Sequence, residues 1–209
     1  MKKSRVFCLL IAMSALSACA PSLNQINEQQ YYQAGLRAEF ARNWQLAKEN
    51  YSKAYVNAKS GNAPAKEISA ITYNLGRMAG YTCDYAEAER LLTESVQLEK
   101  SIGASDTGNL TKRWSELARL NFDQQKYVES ANWFSLALPE LERFDVAKDD
   151  PVGFAQYLED YAKALDRSGS SSKASEIRAR ALKLRSENPN AKAKFIPVYY
   201  RDICRAQNL

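Results

Sequence analysis

Hydrophobic positions along the chain recur three and four residues apart, a spacing that predicts helices. Residues 68–79 place four apolar side chains on one helical face, namely Ile68, Ile71, Leu75 and Met78. Residues 85–98 place a second set on another face, namely Tyr85, Ala88, Leu92 and Ser95. Asp84 and Glu87 predict a capping box at the start of that second helix. Because no alternating strand pattern competes, the sequence predicts an all-α protein.

Small residues recur at a fixed distance along the predicted helices. One column holds Gly35, Gly76, Ala118 and Ala162, and a second column, in the following helix of each copy, holds Ala47, Ala88, Ser130 and Ala174. The first column has steps of 41, 42 and 44 residues. Small side chains at facing positions let two helices approach closely, so each copy predicts one tightly packed helical hairpin. The alternative is a non-repetitive helical bundle in which the alanines match by chance.

Two segments carry the pattern most clearly, "YNLGRMAGYTCDYAEAERLLTESV" and "WSELARLNFDQQKYVESANWFSLAL". Both resemble the tetratricopeptide repeat (TPR), in which a helical hairpin stacks on its neighbours because one hairpin cannot bury its apolar face alone. The resemblance implies a TPR-type helical-hairpin solenoid of about four repeats of roughly 42 residues over 28–187, with a C-terminal tail at 188–209.

The chain departs from the common repeat in three places. Its period is longer than the usual 34 residues and is similar to the 42-residue repeats of the kinesin light chain type. The extra length is assigned to connections at 101–109 and between Pro139 and Pro151, with Pro139 expected to end or kink its helix. In the fourth copy Arg178 takes a position that is hydrophobic in the others, which is expected of a terminal repeat with a polar outer face.

The N-terminal segment has the three zones of a secretory signal: a positive start, a short apolar run and small residues at its end. The stretch "LSAC", Leu16 to Cys19, resembles the lipobox of bacterial lipoproteins. That resemblance implies removal of residues 1–18, lipidation of Cys19 by acyl chains such as palmitate, and a tether at 19–27. Ala20 follows Cys19 where an aspartate commonly retains lipoproteins in the inner membrane, which points to the outer membrane and a domain facing the periplasm. The alternative is an ordinary signal peptide with a chance cysteine.

Composition narrows the functional classes. Removing 18 of 209 residues leaves Lys+Arg at 26 against Asp+Glu at 24, a net charge of about +2 that gives no case for nucleic-acid binding. The chain contains no histidine, which excludes histidine acid–base chemistry and histidine metal sites. We find no phosphate-binding glycine loop and no metal-ligand spacing, and therefore expect no cofactor, no metal and no enzyme activity. The doublet Asp149–Asp150 is assigned to a solvated turn.

A TPR array normally offers its first helices to a concave groove. By position, the groove residues are Tyr32, Leu36, Tyr73, Asn74, Arg77, Arg119 and Lys163. Arg77, Arg119 and Lys163 recur at one position of successive repeats and predict a ladder of donors for a carboxylate or an acidic segment. The competing interpretation is that Arg119 pairs with Glu116, and Lys163 with Asp160, within single helices.

These features predict an outer-membrane lipoprotein that serves as a protein–protein interaction scaffold or adaptor in the bacterial envelope. Its predicted partners are envelope proteins in the groove and the membrane at Cys19. A second hypothesis is an envelope-polymer (peptidoglycan) binding protein, because residues from 176 onward carry eight Lys/Arg against three Asp/Glu. An enzyme is the third. The identity of the partner and the envelope process are left open by the sequence.

Two cysteines remain once Cys8 leaves with the signal and Cys19 is lipidated. Export places Cys83 and Cys204 in an oxidising compartment, where cysteines tend to be paired. The tail is apolar, and the 16 residue-to-residue steps from Asn188 to Cys204 can span roughly 50 Å. We therefore predict that the tail packs along the solenoid, held by a Cys83–Cys204 disulfide, and covers part of the groove. The rival is a tail that caps the fourth repeat and leaves both thiols free or bridged to another molecule.

Overall fold

The computed structural model describes residues 22–103 and 108–207, which form ten helices and no strand. Cys19 and the signal segment lie outside the described residues. The helices are α1 (Leu23–Phe40), α2 (Trp44–Ser60), α3 (Ala65–Tyr81), α4 (Tyr85–Ser101), α5 (Gly108–Asp123), α6 (Tyr127–Arg143), α7 (Val146–Asp149), α8 (Pro151–Arg167), α9 (Ser171–Glu187) and α10 (Tyr200–Gln207).

The long helices pack as successive hairpins. The pairs α1/α2, α3/α4, α5/α6 and α8/α9 are each joined by a short turn, and each second helix also contacts the first helix of the next pair. The single-turn α7 lies in the connection before the last pair. This arrangement is a TPR-type helical solenoid of four hairpins, which confirms the predicted fold class.

The predicted small residues lie where the two helices of a hairpin meet. A Cβ added to Gly35 would lie 2.7 Å from the ring of Tyr51, and one added to Gly76 would lie 2.9 Å from Leu92 Cγ. In the third hairpin the hydroxyl of Ser130 donates a hydrogen bond of 2.8 Å to the carbonyl oxygen of Ala118. Close approach of the helices therefore requires small residues at these positions.

The hairpin turns repeat as regularly as the helices. Seven residues after each small residue of the first column, the backbone adopts a left-handed conformation, at Arg42, Cys83, Gln125 and Gly169. The next residue caps the second helix in the first two hairpins: Asn43 accepts from the amide of Leu46, and Asp84 from that of Glu87. Cys83 therefore lies in a turn whose geometry recurs in all four hairpins, and it is partly exposed.

Two boundaries differ from the sequence-based expectations. The first helix begins at Leu23 rather than at 28, because the Ser22 hydroxyl and the Gln25 side chain form a reciprocal capping box. Pro139 does not end its helix, and α6 continues to Arg143. A proline leaves one helical carbonyl, that of Ser135, without its usual donor, and both residues are exposed, so water can solvate that oxygen.

The C-terminal tail leaves the last hairpin and returns across the solenoid. Its first part, 188–199, has almost no regular structure and leads into α10, which contacts α3 and α5. Cys204 forms the predicted disulfide with Cys83, with 5.7 Å between the two Cα atoms. The link joins the end of the tail to the turn of the second hairpin, 121 residues earlier in the chain.

Candidate functional site

The candidate site is the surface of α3, α5 and α8 that receives tail residues 194–204, here called the tail site. These three are first helices of their hairpins, so the tail lies on the face that the sequence predicted as a binding groove. Several charged positions on this face recur at the repeat period: Glu116 and Asp160 lie two residues before the small residue of their helices, and Arg77, Arg119 and Lys163 lie one residue after it.

Glu116 is the centre of the tail site. Its carboxylate is 2% exposed and accepts hydrogen bonds from the hydroxyls of Tyr200 and, at 3.3 Å, Tyr73. Arg119 Nη2 lies 2.6 Å and Arg77 Nε 3.7 Å from the same oxygen that Tyr73 approaches. Burial alone would raise the pKa of Glu116, but the two guanidinium groups and the hydroxyl donors outweigh it and lower the pKa. Glu116 is therefore an anion that organises both arginines and the tail.

The predicted arginine ladder is consequently not open to a partner. Arg77 donates to Glu39 at 2.6 Å, and Glu39 also accepts from the hydroxyl of Tyr51. The guanidinium carbon of Arg119 lies 5.3 Å from the ring centroid of Phe195 in the tail. The expected Arg119–Glu116 pair is confirmed. The ladder prediction needs correction because a buried carboxylate lies between the two arginines.

Lys163 also differs from both sequence interpretations. It is exposed and lies 5.4 Å from the ring centroid of Phe122, a cation–π contact. Its expected partner Asp160 instead accepts hydrogen bonds from Tyr199 at 2.8 Å and from Gln156 at 3.3 Å. In place of the predicted i, i+3 pair, Asp160 therefore binds the tail and Gln156, and Lys163 contacts Phe122 of α5.

The remaining predicted groove residues lie at the N-terminal end of the site. Asn74 donates a hydrogen bond of 3.0 Å to the hydroxyl of Tyr32, whose ring centroid lies 5.7 Å from that of Tyr51. Tyr73 belongs to the Glu116 cluster. Leu36 is 38% exposed, so it is the predicted apolar residue that remains available on the surface.

A pocket built into α3 receives the ring of Tyr200, which is fully buried. A Cβ on Gly80 would lie 2.7 Å from Tyr200 Cδ1, so only glycine leaves room for the ring. Tyr81 packs against the other side, with its centroid 4.7 Å from that of Tyr200 and 4.7 Å from that of Trp44. The three rings form one continuous cluster of tilted ring contacts.

Two further carboxylates bind the main chain of the tail. Asp150, which caps α8 through the amide of Gly153, also accepts from the amides of Lys194 at 3.1 Å and Phe195 at 2.9 Å. Asp150 therefore has a structural role and does not lie in the solvated turn that the sequence suggested. These hydrogen bonds lower its pKa although burial opposes them.

Asp123, at the end of α5, accepts from the amide of Arg201 at 3.4 Å, and its Oδ1 lies 3.6 Å from Arg201 Nε. Burial raises the pKa of Asp123 to about 6, although Arg201 opposes the shift. Burial likewise raises the pKa of Asp160. Removal of the tail would leave these acids without the groups that now satisfy them.

Sequence reasoning missed Glu116 as the centre of the site and Gly80 as a pocket residue. Gly80 carried a usable signal, because a glycine inside a helix is unfavourable without a packing reason and Gly76 already supplied the close contact of that hairpin.

Among residues 22–103 and 108–207, no group of three or more cysteines or acidic residues is arranged to hold a metal ion. In the same residues, no helix has the length and apolar character needed to cross a membrane.

No protein-family model matches the chain, and the comparison with curated proteins finds no relative. Among solved structures, the chain is similar to the crystal structure of MamA protein, with a TM-score of 0.44 and 11% identity. The match covers 82% of this chain and 98% of that one. A similarity of this degree carries no information about function.

Proposed function

We propose that this chain is a lipid-anchored scaffold of the bacterial envelope that binds another protein on the first-helix face of its solenoid. The observation that carries the proposal is the regular stack of four hairpins. Such a stack presents an extended surface built from equivalent positions of successive repeats, which suits the binding of a polypeptide.

Two features support the anchor and the compartment. The stretch Leu16–Cys19 resembles a lipobox, and α1 begins only four residues after Cys19, a distance of roughly 14 Å when extended. A lipid at Cys19 would therefore hold the first hairpin next to the membrane. The Cys83–Cys204 disulfide supports an exported protein, because disulfides persist in oxidising compartments. The absence of aspartate after Cys19 favours the outer membrane, with the domain in the periplasm.

The part of the first-helix face left uncovered by the tail lies on α1. Leu36 is 38% exposed and Phe40 is 93% exposed on this helix. Exposed apolar side chains that lie together on one element are typical of surfaces that a protein partner covers. We propose that the partner contacts this end of the solenoid.

The basic C-terminal region gives less support to polymer binding. Arg185 pairs with Glu159 at 2.6 Å, and Arg178 and Arg180 pair with Asp166 and Glu142. Because these charges are matched within the chain, the region is less cationic than its composition suggests. We therefore prefer the protein-binding proposal.

The anchor and the binding surface have separate tests. Cys19→Ser should abolish palmitate labelling and release the domain from the membrane fraction; labelling equal to the wild type would contradict the anchor. A photo-crosslinking residue at Leu36 should capture an envelope protein that the same probe at Leu136, on the second helix of the third hairpin, does not. Equal capture at both positions would contradict the assigned surface.

A further inference from the structure

The tail is ordered by the surface that it covers. Its last helix has eight residues, and an isolated helix of that length is not stable in water. Before it, Phe195 and Ile196 leave 59% and 75% of their surfaces exposed. The tail therefore adds a thin layer that depends on the tail site for its conformation.

The tail site recognises this segment by its side chains. Tyr199 binds Asp160, Tyr200 fills the Gly80 pocket and binds Glu116, and Arg201 lies beside Asp123. Three consecutive residues therefore each contact a different acid on α5 or α8. Hydrogen bonds to peptide amides, a shaped aromatic pocket and charge complementarity are the features by which proteins bind extended peptides.

One covalent bond retains the tail, and it can be broken by thiol exchange. Cys83 is partly exposed in its turn, whereas Cys204 is buried. A thiolate of a dithiol reductant attacks the Cys83 sulfur and forms a mixed disulfide, and Cys204 leaves as a thiolate that takes up a proton. The second thiol of the reductant then attacks the reductant's other sulfur, the one bonded to Cys83, and Cys83 leaves as a thiolate that takes up a proton. The reductant becomes a cyclic disulfide, and both cysteines become thiols.

We propose that the tail site is a peptide-binding site, that its ligand is a partner segment with two adjacent tyrosines followed by an arginine, and that reduction of the Cys83–Cys204 disulfide opens the site to that segment. The tail is the intramolecular occupant. This proposal rests on the proposed scaffold function, since it names the segment that the scaffold would bind. After reduction the tail remains tethered at high effective concentration, so the partner segment has to compete with it.

The experiment uses the full chain with Cys204→Ser and Tyr200→Ala, which frees the Cys83 thiol and weakens the chain's own tail. The probe is a labelled synthetic peptide of residues 194–205, with its cysteine intact. In a thiol–disulfide buffer the peptide should form a mixed disulfide with Cys83. A second probe carries Tyr200→Ala and therefore lacks the ring that fills the Gly80 pocket. It should be trapped at least about tenfold less than the native probe.

A matched control moves the thiol to the equivalent turn of the next hairpin, with Gln125→Cys and Cys83→Ser added to the same Cys204→Ser and Tyr200→Ala background. That turn has the same left-handed geometry but no adjoining Gly80 pocket. Trapping there should not depend on the tyrosine of the probe. Equal trapping of both probes at Cys83, or equal trapping of the native probe at both turns, would overturn the proposal.

A second measurement needs no variant. Hydrogen exchange of the wild-type chain should become faster at residues 194–207 after dithiothreitol treatment, while α3 and α5 stay protected. Unchanged protection of the tail would show that the bond does not control its release and would overturn the proposal. These results are independent of the lipid anchor and of the α1 surface, so failure here leaves the proposed scaffold function standing.

Discussion

Gly80→Ala tests the Tyr200 pocket most directly. Tyr200 is held by its hydrogen bond to Glu116 and by its tilted ring contact with Tyr81, so its ring cannot move away freely. The new methyl group would begin 2.7 Å from Tyr200 Cδ1, whereas ordinary contacts lie at 3.4–4 Å, so the ring or α3 must shift by about 1 Å. Overpacking of this kind costs about 1–3 kcal/mol, against about 1 kcal/mol gained from alanine in a helix. We expect a net loss of about 1 kcal/mol, and of no more than about 2 kcal/mol.

The sign should reverse when the ring is absent. In a Tyr200→Ala background the methyl group meets no ring, and Gly80→Ala should stabilise the chain by about 0.5–1 kcal/mol through helix propensity. The coupling energy between the two positions should therefore be roughly 2 kcal/mol. Urea unfolding of the four proteins of this double-mutant cycle, with the disulfide intact, measures it.

Gly76→Ala is the matched control, one turn earlier on the same helix. Its methyl group would meet Leu92 of its own hairpin partner rather than the tail. It should destabilise the chain equally with and without Tyr200, within about 0.5 kcal/mol. If Gly80→Ala also has the same effect in both backgrounds, the ring does not fill the space above Gly80 and our account of the pocket is wrong.

Three further changes test the packing and the charges. Ala118→Leu should overpack the third hairpin and reduce the free energy of unfolding by about 1–3 kcal/mol, whereas Ala86→Leu on an exposed position should be nearly neutral. Glu116→Gln should lower stability by about 3 kcal/mol, because it leaves two partly buried guanidinium groups without the buried anion that they share. The pKa of Asp123 is about 6 in the folded chain, against an ordinary value of 3.8 that applies to the unfolded chain. The folded chain therefore binds this proton more tightly than the unfolded chain does. Its ionisation should reduce stability by roughly 2 kcal/mol as the pH rises from 4 to 6, a loss that Asp123→Asn should remove.

Each of these has a clear opposing result. Equal unfolding midpoints for Ala118→Leu and Ala86→Leu would mean that the close-packed columns are misplaced. A Glu116→Gln variant as stable as the wild type would mean that the arginines do not depend on this carboxylate. Parallel pH–stability curves for Asp123→Asn and the wild type would assign the pH dependence to other groups.

The fold was predictable because its determinants are local. Apolar spacing identifies the helices, and the recurrence of Gly35, Gly76, Ala118 and Ala162 identifies the hairpins, since small residues are needed wherever two helices meet. Pro139 misled the prediction because its effect depends on whether a single unpaired carbonyl can reach water. That is a property of exposure in the folded chain, which the local sequence does not specify.

The site was predictable in position but not in pairing. The repeat frame placed Arg77 and Arg119 on the correct face and close to each other. Their partners could not be inferred because Glu116 lies 39 residues from Arg77, and its burial arises only when α3 and α5 stack and Tyr200 covers it. The disulfide was accessible to prediction for a simpler reason, since the predicted loss of Cys8 with the signal and lipidation of Cys19 leave only two cysteines to pair.

The disulfide also divides the solenoid mechanically. Open-ended repeat arrays lengthen under tension by peeling hairpins from either end. Here the bond closes a ring that contains everything between Cys83 and Cys204, including the third and fourth hairpins. Tension applied between the N-terminus and the C-terminal end can extend the first hairpin and α3. The 121 residue steps from Cys83 to Cys204 add no contour length until the bond is reduced. The molecule thus has a compliant segment beside its predicted anchor and an inextensible remainder, a property that single-molecule force spectroscopy can resolve as two distinct contour-length increments.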